Sequence, residues 1–156
     1  MSLCRIWPRD TLDGMPEHYR DVGHVGGRWG HAGSGLLFTT GRRILLLLRA
    51  DWVMEPGTWG IPGGAIPVDE HGRAMDPFES ALREAREEIG PLPPYCIVDE
   101  FVFRESGFRY TTYTAQVERQ FTPVLNEEHD DFMWWNPERD SPLELHPGVE
   151  ALLRPH

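Results

Sequence analysis

At 156 residues the chain is long enough for one domain with a sizeable core and too short for two comfortable ones. An apolar content of 40%, with six Trp and seven Phe, excludes a disordered chain. Fifteen basic residues, all of them Arg, face 25 acidic ones for a net charge of −10, which disfavours nonspecific binding to polymeric nucleic acid or to an anionic membrane.

In chain order, residues 1–30 are punctuated by Pro8, Gly14, Gly23, Gly26, Gly27 and Gly30 and read as an irregular arm or loop packed over a domain at 31–156. Leu36–Thr40 and Arg43–Arg49 read as two strands around a turn at Thr40-Gly41-Arg42, the second apolar on both faces as a central strand would be. Thr58–Ile61 is a short extended piece entering Pro62-Gly63-Gly64, and Ala65–Ala74 is a loop. Asp76 as N-cap, Pro77 at the first helical position and Glu79 completing a capping-box-like pair start a helix that Gly90-Pro91 ends. Cys96–Arg104 and Arg109–Val117 form a hairpin around Ser106-Gly107, Phe132–Trp135 is an aromatic strand and Pro147–Leu153 a closing helix. Mixed strands with two helices indicate an α/β or α+β sandwich. No apolar run reaches transmembrane length, and Cys4 and Cys96 lack both metal-ligand spacing and disulfide-framework density, so a reducing cytoplasm is the default expectation.

The most informative segment is Arg83-Glu84-Ala85-Arg86-Glu87-Glu88-Ile89-Gly90. At 100° per residue, Glu84, Glu87 and Glu88 share an arc of roughly 100° beside the apolar stripe of Phe78, Ala81, Leu82, Ala85 and Ile89. Carboxylates three and four apart repel by a few tenths of a kcal/mol, so helix stability does not explain them, whereas a divalent cation does. The competing reading is a solvated, Arg-interleaved helix face.

Gly64 followed by this octapeptide resembles the box of the Nudix hydrolases, G-x5-E-x7-R-E-U-x-E-E-x-G-U with U aliphatic. Trp59-Gly60-Ile61-Pro62-Gly63-Gly64 is similar to that family's W-x-x-P-G-G lead-in. The resemblance covers residues 31–154 and implies an α/β/α sandwich with a mixed sheet. Two positions depart from the box. Its first Glu falls on Met75, eleven residues after Gly64 where the box has six, and its last aliphatic position is Pro91. In the family that Glu is tied to the box Arg, and Glu79 or Glu70 is the candidate replacement here.

The resemblance implies Mg²⁺-dependent, or Mn²⁺-dependent, hydrolysis of a nucleoside diphosphate derivative. A hard cation suits clustered phosphoryl oxygens, and positioning dominates such chemistry. Glu84, Glu87 and Glu88 are then metal ligands with the Gly64 carbonyl, and Arg83 orients the acids by an ion pair with Glu87 or Glu79. In Asn126-Glu127-Glu128-His129-Asp130-Asp131, Glu128 is the candidate fourth ligand or general base and Glu127 the fallback, also a substrate contact; the competing reading is a polar loop. His129 reads as a structural hydrogen-bonding residue. Arg49 and Trp59 are candidate substrate contacts, for phosphate and base, although turn packing is the plainer role for Trp59. Phe108, Tyr110, Trp134 and Trp135 read mostly as core. The expected partners are a small nucleotide-type substrate and a second copy in a homodimer, with no polymeric nucleic acid and no membrane. The alternative function is a nucleotide-binding or sensing module of the same fold without turnover, which Met75 keeps open.

Overall fold

Alternation along two neighbouring strands sorts the core onto opposite faces of one mixed sheet. The computed structural model describes residues 5–6 and 32–154. In chain order the strands are β1 (Arg5–Ile6), β2 (Ala32–Thr40), β3 (Arg43–Arg49), β4 (Trp59–Gly60), β5 (Gly63–Ala65), β6 (Cys96–Glu105), β7 (Phe108–Gln116) and β8 (His129–Trp135), and the helices are α1 (Pro77–Ile89) and α2 (Pro147–Leu153). Leu36, Phe38, Leu45 and Leu47 meet Phe78, Ala81, Leu82, Ala85 and Ile89 of α1 on one face. Leu37, Ile44 and Leu46 meet Trp135 and Val149 of α2 on the other. The period of two along the strands therefore fixes which helix each residue serves. The result is a helix layer on each face, the sandwich expected from the sequence.

The sheet is mixed because β2 and β7 run parallel, while β2 pairs antiparallel with β3 and β5. The β2–β3 hairpin is registered only at Thr39↔Ile44 and Thr40↔Arg43, beside a two-residue turn with Gly41 at φ 59°. Beyond that point the strands part. β2 takes β5 as its partner at Gly33–Gly35, and β3 pairs with β4 and β8. The Pro62-Gly63-Gly64 turn enters this split and is tied there by Leu36 N–H donating to the Pro62 carbonyl at 3.0 Å.

The helix that carries the acids begins as its sequence dictates. Asp76 Oδ2 accepts from the backbone N–H groups of Phe78 and Glu79, both at 3.1 Å, and Pro77 occupies the first turn where its missing N–H costs nothing. Gly90, at φ 78°, ends the helix with its N–H on the Arg86 carbonyl. The chain then returns past this end, with Val124 N–H on the Ile89 carbonyl and Asn126 N–H on the Glu88 carbonyl. That return brings the segment carrying Glu128 and His129 beside the helix.

Two strands start well before their sequence reading. β2 starts at Ala32 because Gly33 and Gly35, which look like loop residues, pair with β5 and β7. β8 starts at His129, within a run read as polar loop, because it pairs with Arg49 across a bulge. Most of the arm at 1–30 lies outside the described residues, and Arg5–Ile6 pair with β6 as a strand. Cys96 is disulfide-bonded, which the reducing-compartment default does not anticipate.

Candidate active site

Glu88 is the buried centre of the acidic cluster, and α1 turns it inward together with Ala81, Leu82, Ala85 and Ile89. Its Oε2 accepts from Gly63 N–H at 3.0 Å, so the glycine turn and the acidic helix meet directly. Its Oε1 stands 3.6 Å from His129 Nε2, with the His129 side chain 1% exposed and that of Glu88 4%. Burial raises the Glu88 carboxyl well above the ordinary range, and the neighbouring charges of Glu84 and Glu128 raise it further; Gly63 N–H and Arg49 oppose them. Burial, reinforced by Arg49, pushes the imidazole of His129 down to about 4. The Glu88–His129 contact is therefore not an ion pair at neutral pH, since the imidazole is uncharged.

Glu84 lies over Gly64. A Cβ on Gly64 would stand 3.0 Å from the Glu84 carboxyl carbon, so only glycine leaves this carboxylate its place. Arg83 Nη2 donates to Glu84 Oε1 at 3.1 Å, and its Nε lies 3.9 Å from Glu87 Oε1. The expected pairing with Glu87 is present at long range. Glu79 is exposed, with its N–H on the Asp76 cap, and Glu70 pairs with His71 inside its loop. Met75, where the box has its first Glu, is buried and donates its N–H to the Pro67 carbonyl.

Glu128 is half-buried. Asn126 Nδ2 donates to its Oε2 at 3.3 Å, and Ala50 N–H to its carbonyl at 2.9 Å. Glu127 is exposed, and its carbonyl accepts from Trp52 Nε1 at 3.1 Å. Arg49 Nε donates to the Met54 carbonyl at 2.7 Å, and its charge reaches Glu88, His129, His146 and Tyr110. Trp59 packs with Ile61, Leu143 and Leu145 against the cluster on the α2 face, and its backbone bonds Glu144 and His146. That packing supports the turn-packing role over stacking on a ligand.

Two residues read from sequence as structural lie beside the acidic cluster. One is His129, whose place directly after Glu128 was the available signal. The other is Tyr110, which lies opposite Gly33 in the β2–β7 register. A Cβ at Gly33 would come within 2.8 Å of the Tyr110 ring, and one at Gly35 within 2.6 Å of its hydroxyl. Burial raises the phenol pKa, and the charges of Glu88 and Glu84 add to the rise. The Gly-Ser-Gly alternation in β2 was the sequence trace of this slot.

Among the described residues no three His, Cys, Asp or Glu side chains converge on one point. Glu84 rests on Arg83, Glu88 on Gly63 N–H and Glu128 on Asn126. The donor set nonetheless suits a hard divalent cation. It consists of carboxylate oxygens, and its buried member, Glu88, has charged Glu84 and Glu128 near enough to oppose its ionisation.

The model of the NUDIX domain matches residues 30–154. A protein of Mycobacterium tuberculosis (strain H37Rv) named "Putative 8-oxo-dGTP diphosphatase 3" is 33% identical over 141 residues, covering 79% of this chain and 60% of its own length. The chain thus spans about three-fifths of that relative. The nucleoside triphosphatase NudI of Klebsiella pneumoniae is 27% identical over 132 residues, covering 76% of this chain and 89% of its own. Among solved structures, the Nudix hydrolase RenU from M. smegmatis superposes with a TM-score of 0.62 at 30% identity, covering 81% of this chain and 89% of its own.

Proposed function

The chain belongs to the Nudix family, and on that footing we propose that it is a metal-dependent pyrophosphohydrolase acting on a small nucleotide-type substrate. The observation that carries this reading is the buried Glu88 carboxylate, held on Gly63 N–H with charged Glu84 and Glu128 close enough to resist its ionisation. A cluster that destabilises its own ionised form finds its natural partner in a cation. In this reading Glu84, Glu87, Glu88, the Gly64 carbonyl and Glu128 hold Mg²⁺, or Mn²⁺ in its place. When bound, the cation supplies charge neutralisation at the phosphoryl oxygens and orientation of the attacking water.

The chain's own groups do the rest. Arg83 fixes Glu84 and restrains Glu87. Glu128, steadied by the Asn126 amide, is the candidate base that takes the proton from water where it does not itself ligate the cation. Arg49, pinned through Nε to the Met54 carbonyl, offers its remaining guanidinium nitrogens to a phosphate. Water attack on phosphorus breaks one phosphoanhydride bond and leaves the nucleotide and the second phosphorylated group as separate products. The names of the relatives, a diphosphatase and a nucleoside triphosphatase, support a nucleoside di- or triphosphate derivative as substrate. Met75, buried where the box has a Glu, favours one second reading, a module that binds the nucleotide without turnover.

A panel of nucleoside di- and triphosphate derivatives with Mg²⁺ or Mn²⁺, with products read by mass, tests the proposal. Glu88→Gln should lower turnover by orders of magnitude and keep the fold. Unchanged hydrolysis in that variant would overturn the assignment, and a nucleotide-induced rise in Tm without any product would establish the second reading.

A further inference from the structure

We propose that His129 is a positioning residue for Glu88, its buried imidazole serving as an Nε2–H donor that fixes one carboxylate oxygen while Gly63 N–H fixes the other. The inference rests on the metal-site reading above only for its consequence; the contact itself stands on geometry.

His129 is buried, and both its ring nitrogens lack a hydrogen-bond partner among the described residues. An imidazole has at least one N–H to place, and leaving it unpaired in the interior costs free energy. The acceptor the structure offers is Glu88 Oε1, 3.6 Å from Nε2, so a few tenths of an ångström of closure complete a hydrogen bond. β8 sets that distance. Its bulge at Arg49↔His129 aims the imidazole at α1, and the Asn126 carbonyl receives His129 N–H at 3.3 Å.

The other Glu88 oxygen is already taken by Gly63 N–H at 3.0 Å. One donor on each oxygen would set the carboxylate plane and leave its remaining lone pairs pointing in a defined direction. Side chains that hold a ligand in this way affect metal affinity by about 10- to 100-fold when removed. A purely space-filling His129 would make no such demand on its nitrogens.

The test has two parts. First, imidazole nitrogen and proton NMR of the metal-free chain should show His129 protonated at Nε2, with that resonance moving in Glu88→Gln. An Nδ1–H tautomer, or a resonance indifferent to Glu88→Gln, would overturn the inference whether or not the protein binds a metal or hydrolyses anything. Second, Mn²⁺ titrations followed by electron paramagnetic resonance should show His129→Leu weakened about tenfold, with His129→Gln, which keeps an N–H donor, recovering part of the loss at matched Tm. If Leu and Gln lose affinity equally, in proportion to their losses in Tm, the residue is a packing element and the inference fails. A wild-type chain that binds no Mn²⁺ yet passes the NMR test would overturn the metal reading and leave the His129–Glu88 bond standing.

Discussion

Gly64 lies directly beneath Glu84, so close that a Cβ there would stand 3.0 Å from the carboxyl carbon and 3.1 and 3.3 Å from its two oxygens. Contacts this tight force the flexible carboxylate to move while the backbone stays in its β5–β2 register. Gly64→Ala should therefore lower turnover by about 10- to 100-fold, as loss of ligand placement does elsewhere, with little change in Tm. A steady-state assay beside a melting curve checks both halves. Gly35→Ala is the contrasting case, because its Cβ would meet the Pro62 carbonyl at 2.8 Å and the Tyr110 hydroxyl at 2.6 Å. That variant should lose stability.

The acidic helix depends on one cap. Asp76→Ala removes the acceptor for two backbone N–H groups at the start of α1, at a cost of about 1 kcal/mol. For a chain of this size that is a fall in Tm of about 2–4 °C. Asp76→Ser should recover most of it. Because Glu84, Glu87 and Glu88 lie two turns or more downstream, kcat at 25 °C should change little.

The divide between what could be read and what could not follows the range of the interactions. Arg43–Arg49, Pro147–Leu153 and the start of α1 at Asp76-Pro77 were legible because an apolar run, a proline and a cap are local signals. The parallel pairing of β2 with β7 was not, since nothing in either strand names a partner more than 70 residues away. The same blindness hid Tyr110 and His129. Their positions are set against Gly33 and Gly35 on another strand and against Glu88 on a helix. The acidic octapeptide announced itself, whereas the groups that orient it did not. Trp59 shows the reverse, an aromatic beside a glycine turn whose position invites a ligand and which packs against the buried cluster of Leu37, Ile44, Leu46, Trp135 and Val149.

The loop between β5 and α1 is built on a single carboxylate. Asp69 Oδ1 accepts from His71 N–H at 2.9 Å and Arg73 N–H at 2.8 Å, and Oδ2 from Arg73 Nε at 3.2 Å. Burial pushes this carboxyl up, but the two N–H groups and the Arg73 charge outweigh it and hold it below its ordinary value. A lowered folded pKa contributes stability above the unfolded value, about 3.9, and that stability is lost as pH falls through the folded value. Asp69→Ala should melt lower than wild type at pH 7, and the gap should close in strong acid. Thermal melts across pH check the slope. A gap that persists below both pKa values would mean packing, not charge, fixes the loop.

Arg49 is the cation whose charge reaches both Glu88 and His129. Its Nε is committed to the Met54 carbonyl, a bond that anchors the guanidinium without using its outer nitrogens. If those nitrogens meet a substrate phosphate, Arg49→Met removes a charge-assisted contact of about 1.5–3 kcal/mol. KM should then rise about 10- to 100-fold at low salt, and the wild-type advantage should shrink as ionic strength increases. A KM unchanged in Arg49→Met would confine the residue to tuning Glu88.

Glu88 supplies the pH test of the whole cluster. Burial, with Glu84 and Glu128, raises its folded pKa above the unfolded value. Between those two values the folded chain holds a proton that the unfolded chain has released, so metal-free stability falls as pH rises through the window. Glu88→Gln keeps the shape and removes the titration. In the presence of a chelator the variant should match wild type near pH 4 and melt above it at pH 8. Added Mg²⁺ or Mn²⁺ should reverse the order at pH 8, because only the wild-type carboxylate gains a counter-charge. Parallel melts with chelator and with metal read both effects. A variant less stable than wild type under chelator at pH 8 would mean that the ionised carboxylate stabilises the fold through Gly63 N–H more than its burial costs.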